Sequence, residues 1–101
     1  MTGTGKLGFD ALNAALKAAG EDTRLRILAL LAEAELTVSD LTDILHQSQP
    51  RISRHLKLLA EAGLVERFRE GTWAFFRLAD IGGGAELART ILAQLNLSDR
   101  A

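Results

Sequence analysis

Twelve consecutive residues, Ser48 to Leu59 (SQPRISRHLKLL), divide their side chains between two faces of one helical repeat. Ile52, Leu56 and Leu59 recur at helical spacing and form an inward stripe, which leaves Arg51, Arg54, His55 and Lys57 to face outward. Ser48 is placed to cap the helix, and Pro50 falls in its first turn, where a missing N–H breaks no bond. Such a helix must be covered along its apolar stripe and left open on the other side.

The flanking residues supply the cover. Thr37-Val38-Ser39-Asp40 has the form of a helix start, with Thr37 as N-cap and Asp40 favouring the positive end of the helix dipole; Leu41, Ile44 and Leu45 then point inward. That helix should stop near His46, read as a C-terminal cap or a solvated side chain, with Gln47-Ser48 as a short turn. Two short helices joined this way are a helix-turn-helix. Gly63 ends the second. From Leu64 to Leu78 the period becomes alternating, with Val65, Arg67 and Arg69 on one side of a strand and Glu66, Phe68 and Glu70 on the other. Glu70-Gly71 signals a hairpin turn, and Trp73-Ala74-Phe75-Phe76-Arg77-Leu78 forms the return strand, its aromatics Trp73 and Phe75 read as hairpin core. Arg67 is expected to pair with Glu66 or Glu61, if it does not reach outward. A hairpin directly after a helix-turn-helix is a wing.

Upstream, Phe9, Leu12, Leu16 and Ala19 describe an amphipathic helix ended by Gly20. Asp22 or Thr23 caps a second helix running to about Ala34, whose Leu25, Ile27, Leu28, Leu30 and Leu31 are too many for a narrow stripe and mark it as central to the core. Downstream, Gly82-Gly83-Gly84 reads as a hinge before a last amphipathic helix carrying Leu87, Ala88, Ile91, Leu92 and Leu95. The expectation is one domain over residues 1–101, mainly α with a small β-hairpin wing: a winged helix-turn-helix of five helices in the order α1-α2-α3-α4-β-β-α5, with residues 1–7 disordered.

The formal net charge of −1 argues against a nucleic-acid partner until its distribution is followed. Residues 1–46 carry four basic and seven acidic side chains, residues 47–77 six and three, and residues 78–101 two and three. Positive charge therefore gathers around the Ser48–Leu59 helix and the strands after it, where a local field attracts phosphates. A major groove admits one α-helix, and bidentate Arg, Gln, Asn or Lys contacts read its base edges. On that reading Gln49, Ser53, Arg54 and His55 read or clamp double-stranded DNA, Ser48, Arg51 and Lys57 meet phosphates, and Arg69 with Thr72 steadies the wing. The chain has no cysteine, which excludes thiolate metal sites and disulfides and favours a cytoplasmic setting. No apolar run is long enough for a membrane span. Neither histidine stands beside a nucleophile in an obvious catalytic arrangement and no phosphate-cradling motif follows a strand, so an enzyme is not expected.

These residues resemble the ArsR family of bacterial winged-helix repressors. The resemblance is carried by Asp22-Thr23-Arg24-Leu25-Arg26-Ile27-Leu28, Glu35-Leu36-Thr37-Val38-Ser39-Asp40-Leu41, Gln49 to Leu59, Ala62-Gly63-Leu64-Val65, Arg69-Glu70-Gly71 and Trp73 to Leu78, in order over roughly residues 8–95. It implies a homodimer joined by the first and last helices, with Phe9, Leu12 and Leu16 meeting Leu87, Ile91, Leu92 and Leu95, and with two recognition helices in successive major grooves of a near-palindromic operator. Metal-sensing members carry cysteines where this chain reads Leu36-Thr37-Val38-Ser39-Asp40, and others carry histidines on the last helix, where this chain has none and offers only Glu86. Hydroxyls are poor ligands for soft metals. The resemblance thus implies no metal and no cofactor, and leaves open an unidentified small-molecule effector. An alternative is a regulatory or adaptor winged-helix module, such as the N-terminal part of a methyltransferase-fused protein.

Overall fold

The computed structural model describes residues 7–95, so all but Leu7 of the segment expected to be disordered lies outside it. Its elements are α1 (Phe9–Ala19), α2 (Asp22–Leu31), α3 (Val38–Leu45), α4 (Gln49–Glu61), β1 (Val65–Glu70), β2 (Trp73–Leu78) and α5 (Gly83–Gln94). This is the expected order of a winged helix-turn-helix.

Each helix boundary has a local cause. Gly20 closes α1 by donating its N–H to Leu16 O at 2.9 Å. Glu21, not Asp22 or Thr23, caps α2: its carboxylate accepts the Arg24 N–H at 2.8 Å. Thr23 cannot serve, because it is buried and its hydroxyl accepts from Gln47 Nε2 at 2.9 Å. The helix also ends at Leu31, short of Ala34. On α3 both arms of a capping box are made, Asp40 N to Thr37 Oγ1 and Thr37 N to Asp40 Oδ2, each 3.0 Å. His46 then closes α3 in the left-handed region at φ 57°, with its N–H on Thr42 O at 2.8 Å, as its reading as a cap required. Ser48 caps α4 through a long 3.4 Å bond to the Arg51 N–H.

The core gathers under α2 and α4. Ile27, Leu28, Leu41, Ile52, Leu56, Leu59 and Leu64 are fully enclosed, and Leu31, Val65 and Phe76 close the cluster. Ile44, expected inside, is 47% exposed, because the eight-residue α3 buries only the line through Leu41.

The hairpin pairs Val65 with Leu78 through Glu70 with Trp73, leaving Gly71-Thr72 as a two-residue turn. Gly71 has φ +62° and Thr72 does not, which is the II′ pattern. Glu66, Phe68 and Glu70 share one face with Trp73, Phe75 and Arg77, as strand alternation demands. Phe68 and Phe75 stack at 5.7 Å on this outer face, and Arg77 lies over Phe68 while its Nε donates to Glu66 at 3.1 Å. Trp73 is therefore not core; it ends the outward row at 63% exposure, whereas the buried aromatic is Phe76 on the opposite face. Arg77 has taken Glu66, so Arg67 pairs with neither expected carboxylate.

A third piece of sheet went unforeseen. Leu36, just before α3, exchanges both backbone hydrogen bonds with Phe76, at 3.1 and 2.7 Å. An isolated two-stranded hairpin is marginal in water, and this bridge fastens it to the body of the domain. The three glycines before α5 are also not a hinge. Gly83 and Gly84 are already helical, and a Cβ on Gly84 would fall 2.2 Å from Gly63 O, so the residue permits a close crossing of two backbones.

Candidate nucleic-acid interface

The inward line of α4 is sealed, with Ile52 and Leu59 at 0% and Leu56 at 1% exposure. Ser48, Gln49, Arg51, Ser53, Arg54 and Lys57 are all exposed on the remaining surface. On the helical repeat Arg54 stands opposite the buried line, flanked on one side by Ser53 and Lys57 and on the other by Arg51. Lys57 leans toward Glu61 at 3.8 Å, an exposed i,i+4 pair of little energetic weight. Among the described residues no carboxylate comes within ion-pair distance of Arg51, Arg54, Arg67 or Arg69. Their charge is left for a partner outside the domain.

Between α3, α4 and the hairpin lies an open cleft of about 450 Å³ with an apolar floor of Val38, Leu56 and Phe76 and a polar rim of Ser53, Lys57 and Arg67. Arg69 and Thr72 stand exposed near the hairpin tip, beyond it. Ser53 and Lys57 of α4 thus share one cleft with Arg67 of β1, and the cleft lining carries no acid.

His55 departs from the expected outward array. Its side chain is only 17% exposed and turns toward α2, with Nδ1 at 3.2 Å from Arg24 Nη1 and 3.9 Å from Glu21 Oε1. The inward stripe of α4 is wide enough to take in its flank, and two polar residues of α2 meet the ring there. The Arg24 contact and the Gln47–Thr23 bond, which ties the turn to α2, were missed. Both partners are distant in sequence, and spacing along one helix carries no signal for them.

Of the apolar surface expected to join two copies, the α1 side is open: Phe9 is 81%, Leu12 37% and Leu16 47% exposed. On α5, Leu87, Ile91 and Leu92 are half-buried against the chain's own core, and Leu95, the C-cap of that helix, is half-buried as well. Among the described residues no group of three or more His, Cys, Asp or Glu side chains is placed to hold a metal ion, and no helix is long and apolar enough to cross a membrane.

Residues 21–67, which run from the cap of α2 into β1, match the profile of bacterial regulatory proteins of the arsR family. An uncharacterised HTH-type transcriptional regulator of Methanocaldococcus jannaschii is 48% identical over 65 residues, 63% of this chain and 73% of the relative. The chain belongs to the arsR family. Across the family, the arsenical resistance operon repressor of Escherichia coli is 50% identical over 64 residues, which is 62% of this chain but only 55% of the repressor's length. Among solved structures, the homodimeric winged helix-turn-helix DNA-binding domain of a Mycobacterium bovis protein superposes with a TM-score of 0.73 at 32% identity, covering 83% of this chain and 77% of that one. The arsR-family chain is accordingly a winged helix-turn-helix transcriptional regulator.

Proposed function

We propose that this chain is a cytoplasmic, non-enzymatic repressor that works as a homodimer on a near-palindromic operator. Each α4 enters a major groove, where Arg54 reads a base edge with Gln49 and Ser53 beside it, while His55, turned toward α2, clamps the flanking backbone. Arg51, Lys57 and the Ser48 hydroxyl meet phosphates, and Arg69 with Thr72 carries the wing onto the neighbouring backbone. The α1 stripe of Phe9, Leu12 and Leu16 meets Leu87, Ile91, Leu92 and Leu95 across the two-fold axis, which sets half-sites about one helical turn, ~10 bp, apart. The observation that carries this reading is the division of α4: a fully sealed apolar line backs an exposed face whose arginines have no carboxylate partner among the described residues.

A gel shift on DNA from upstream of the gene tests it. Arg54→Ala should abolish specific binding while the dimer persists by light scattering; wild-type operator affinity in that variant would refute the assignment. The effector follows from what replaces the family's cysteines: with hydroxyls at Thr37 and Ser39, a soft metal has no ligand set there. Metal-driven release is therefore not part of this reading, which leaves a small organic effector and constitutive repression equally open, and a large rise in melting temperature on adding zinc would overturn it.

A further inference from the structure

Arg24 sits in the first turn of α2 and joins the two helices on either side of it. Its Nε donates to the carbonyl of Ala18, in the last turn of α1, at 2.6 Å, where the helix dipole favours a cation. Its Nη1 lies 3.2 Å from Nδ1 of His55 on α4. A guanidinium has donors only, so at this contact Nδ1 must supply the lone pair. The rival arrangement would put a hydrogen on Nδ1 and give it to Glu21. That oxygen is 3.9 Å away, too far for a hydrogen bond, and it already accepts the Arg24 backbone N–H at 2.8 Å. The ring hydrogen then belongs on Nε2, since the bond made by one imidazole nitrogen sets the state of the other. No hydrogen bond to Nε2 is made among the described residues, yet no buried side-chain nitrogen or oxygen there lacks a partner. Nε2 therefore reaches solvent, on the flank of α4 where Arg51 stands exposed one turn earlier.

We propose that Arg24 is a positioning residue for DNA binding: it holds His55 as the neutral Nε2–H tautomer and aims that single N–H at a phosphate oxygen next to the one Arg51 meets. The phosphate contact rests on the DNA-binding reading above; the tautomer does not. Arg51 and Lys57 bring charge to the backbone, and each phosphate they neutralise releases counterions. A neutral imidazole releases none. Its contribution is direction, fixed from behind by a residue that also grips the end of α1.

The first measurement needs no DNA. Long-range proton–nitrogen correlation on the ¹⁵N-labelled, full-length dimer at mildly alkaline pH should show His55 with Nδ1 unprotonated and Nε2 protonated, and Arg24→Leu should return the ring to a mixture of tautomers. A protonated Nδ1 in the wild type overturns the proposal whatever the operator does. For the phosphate contact, His55→Ala should lower operator affinity about a hundredfold, roughly tenfold for the hydrogen bond to a charged group lost in each of the two copies, without changing the salt dependence. By contrast Lys57→Gln should reduce the log–log salt slope by about 1.8, which is about 0.9 for each of its two copies in the dimer. His55→Gln, whose amide N–H stands near the Nε2 position, should restore most of the lost affinity. Arg24→Leu should weaken binding on its own and add little on top of His55→Ala. A fall of about 1.8 in the slope for His55→Ala, about 0.9 per copy, or no recovery with glutamine, would mean that His55 acts as a cation or as packing, and the proposal fails. If Arg24→Leu does not fold, the wild-type spectrum and the two His55 variants still decide. Wild-type protein that binds no operator at all would sink the phosphate contact together with the DNA-binding reading, leaving the tautomer measurement to stand by itself.

Discussion

Single residues in this domain divide by how far away their partners are. Thr37, Asp40, His46 and Ser48 were legible in the sequence because a cap acts within three or four residues of itself. Thr23 and His55 were not, because their roles are set by Gln47 and Arg24, which lie 24 and 31 residues away. The glycines separate in the same way. Gly63, at φ +78°, has open space for a Cβ, so Gly63→Ala should cost only the left-handed backbone penalty of about 1–2 kcal/mol. Gly84 has no room, since its Cβ would meet backbone and not a flexible side chain. Gly84→Ala should therefore be the more damaging of the two, by up to about 3 kcal/mol of overpacking, as read from urea denaturation at fixed protein concentration. His46 allows a prediction of the opposite sign. It is the one non-glycine at positive φ among the described residues, and it is exposed. Replacing it with glycine should stabilise the fold by up to about 1 kcal/mol and leave operator affinity unchanged.

At the level of elements, periodicity located all five helices and both strands, because each carries apolar residues at a regular spacing along the chain, although α1 leaves its large ones open and buries Ala15, Ala18 and Ala19 instead. What it could not supply was which aromatic of the hairpin is covered. Trp73, Phe75 and Phe76 are equally apolar in sequence, and only the pairing register assigns Trp73 and Phe75 to the outer face and Phe76 to the core. Trp73 is the only tryptophan in the chain, so intrinsic fluorescence reports on the wing alone. Its emission should match that of a water-exposed indole and be quenched strongly by acrylamide in the free protein, with shielding when operator is added. A blue-shifted, unquenched emission from the free protein would contradict the outward row. The wing cations are a separate matter. Arg69→Ala should weaken binding to many DNA sequences by a similar factor, whereas Arg54→Ala should remove the preference for the operator, and competition titrations against unrelated DNA distinguish the two outcomes.

For the molecule as a whole, the acidic total charge was misleading and its segregation was informative: the excess of positive charge falls on residues 47–77, which include α4 and the hairpin. The open α1 stripe belongs to this scale as well, since Phe9, Leu12 and Leu16 would lose their exposed apolar surface if a second copy covered them, as the proposed dimer requires. Phe9→Glu should shift the dimer toward monomers in sedimentation equilibrium and weaken operator binding, because the second half-site no longer arrives tethered to the first. The Leu36–Phe76 bridge has a mechanical consequence. It acts as a fulcrum: one end of β2 is clamped to the strand-like segment feeding α3, and the residues from Glu70 to Ala74 overhang as a cantilever. Substitutions at that tip fall beyond the clamp, so they should leave the melting temperature and the scaffold that carries α4 unchanged even where they alter what the tip can touch.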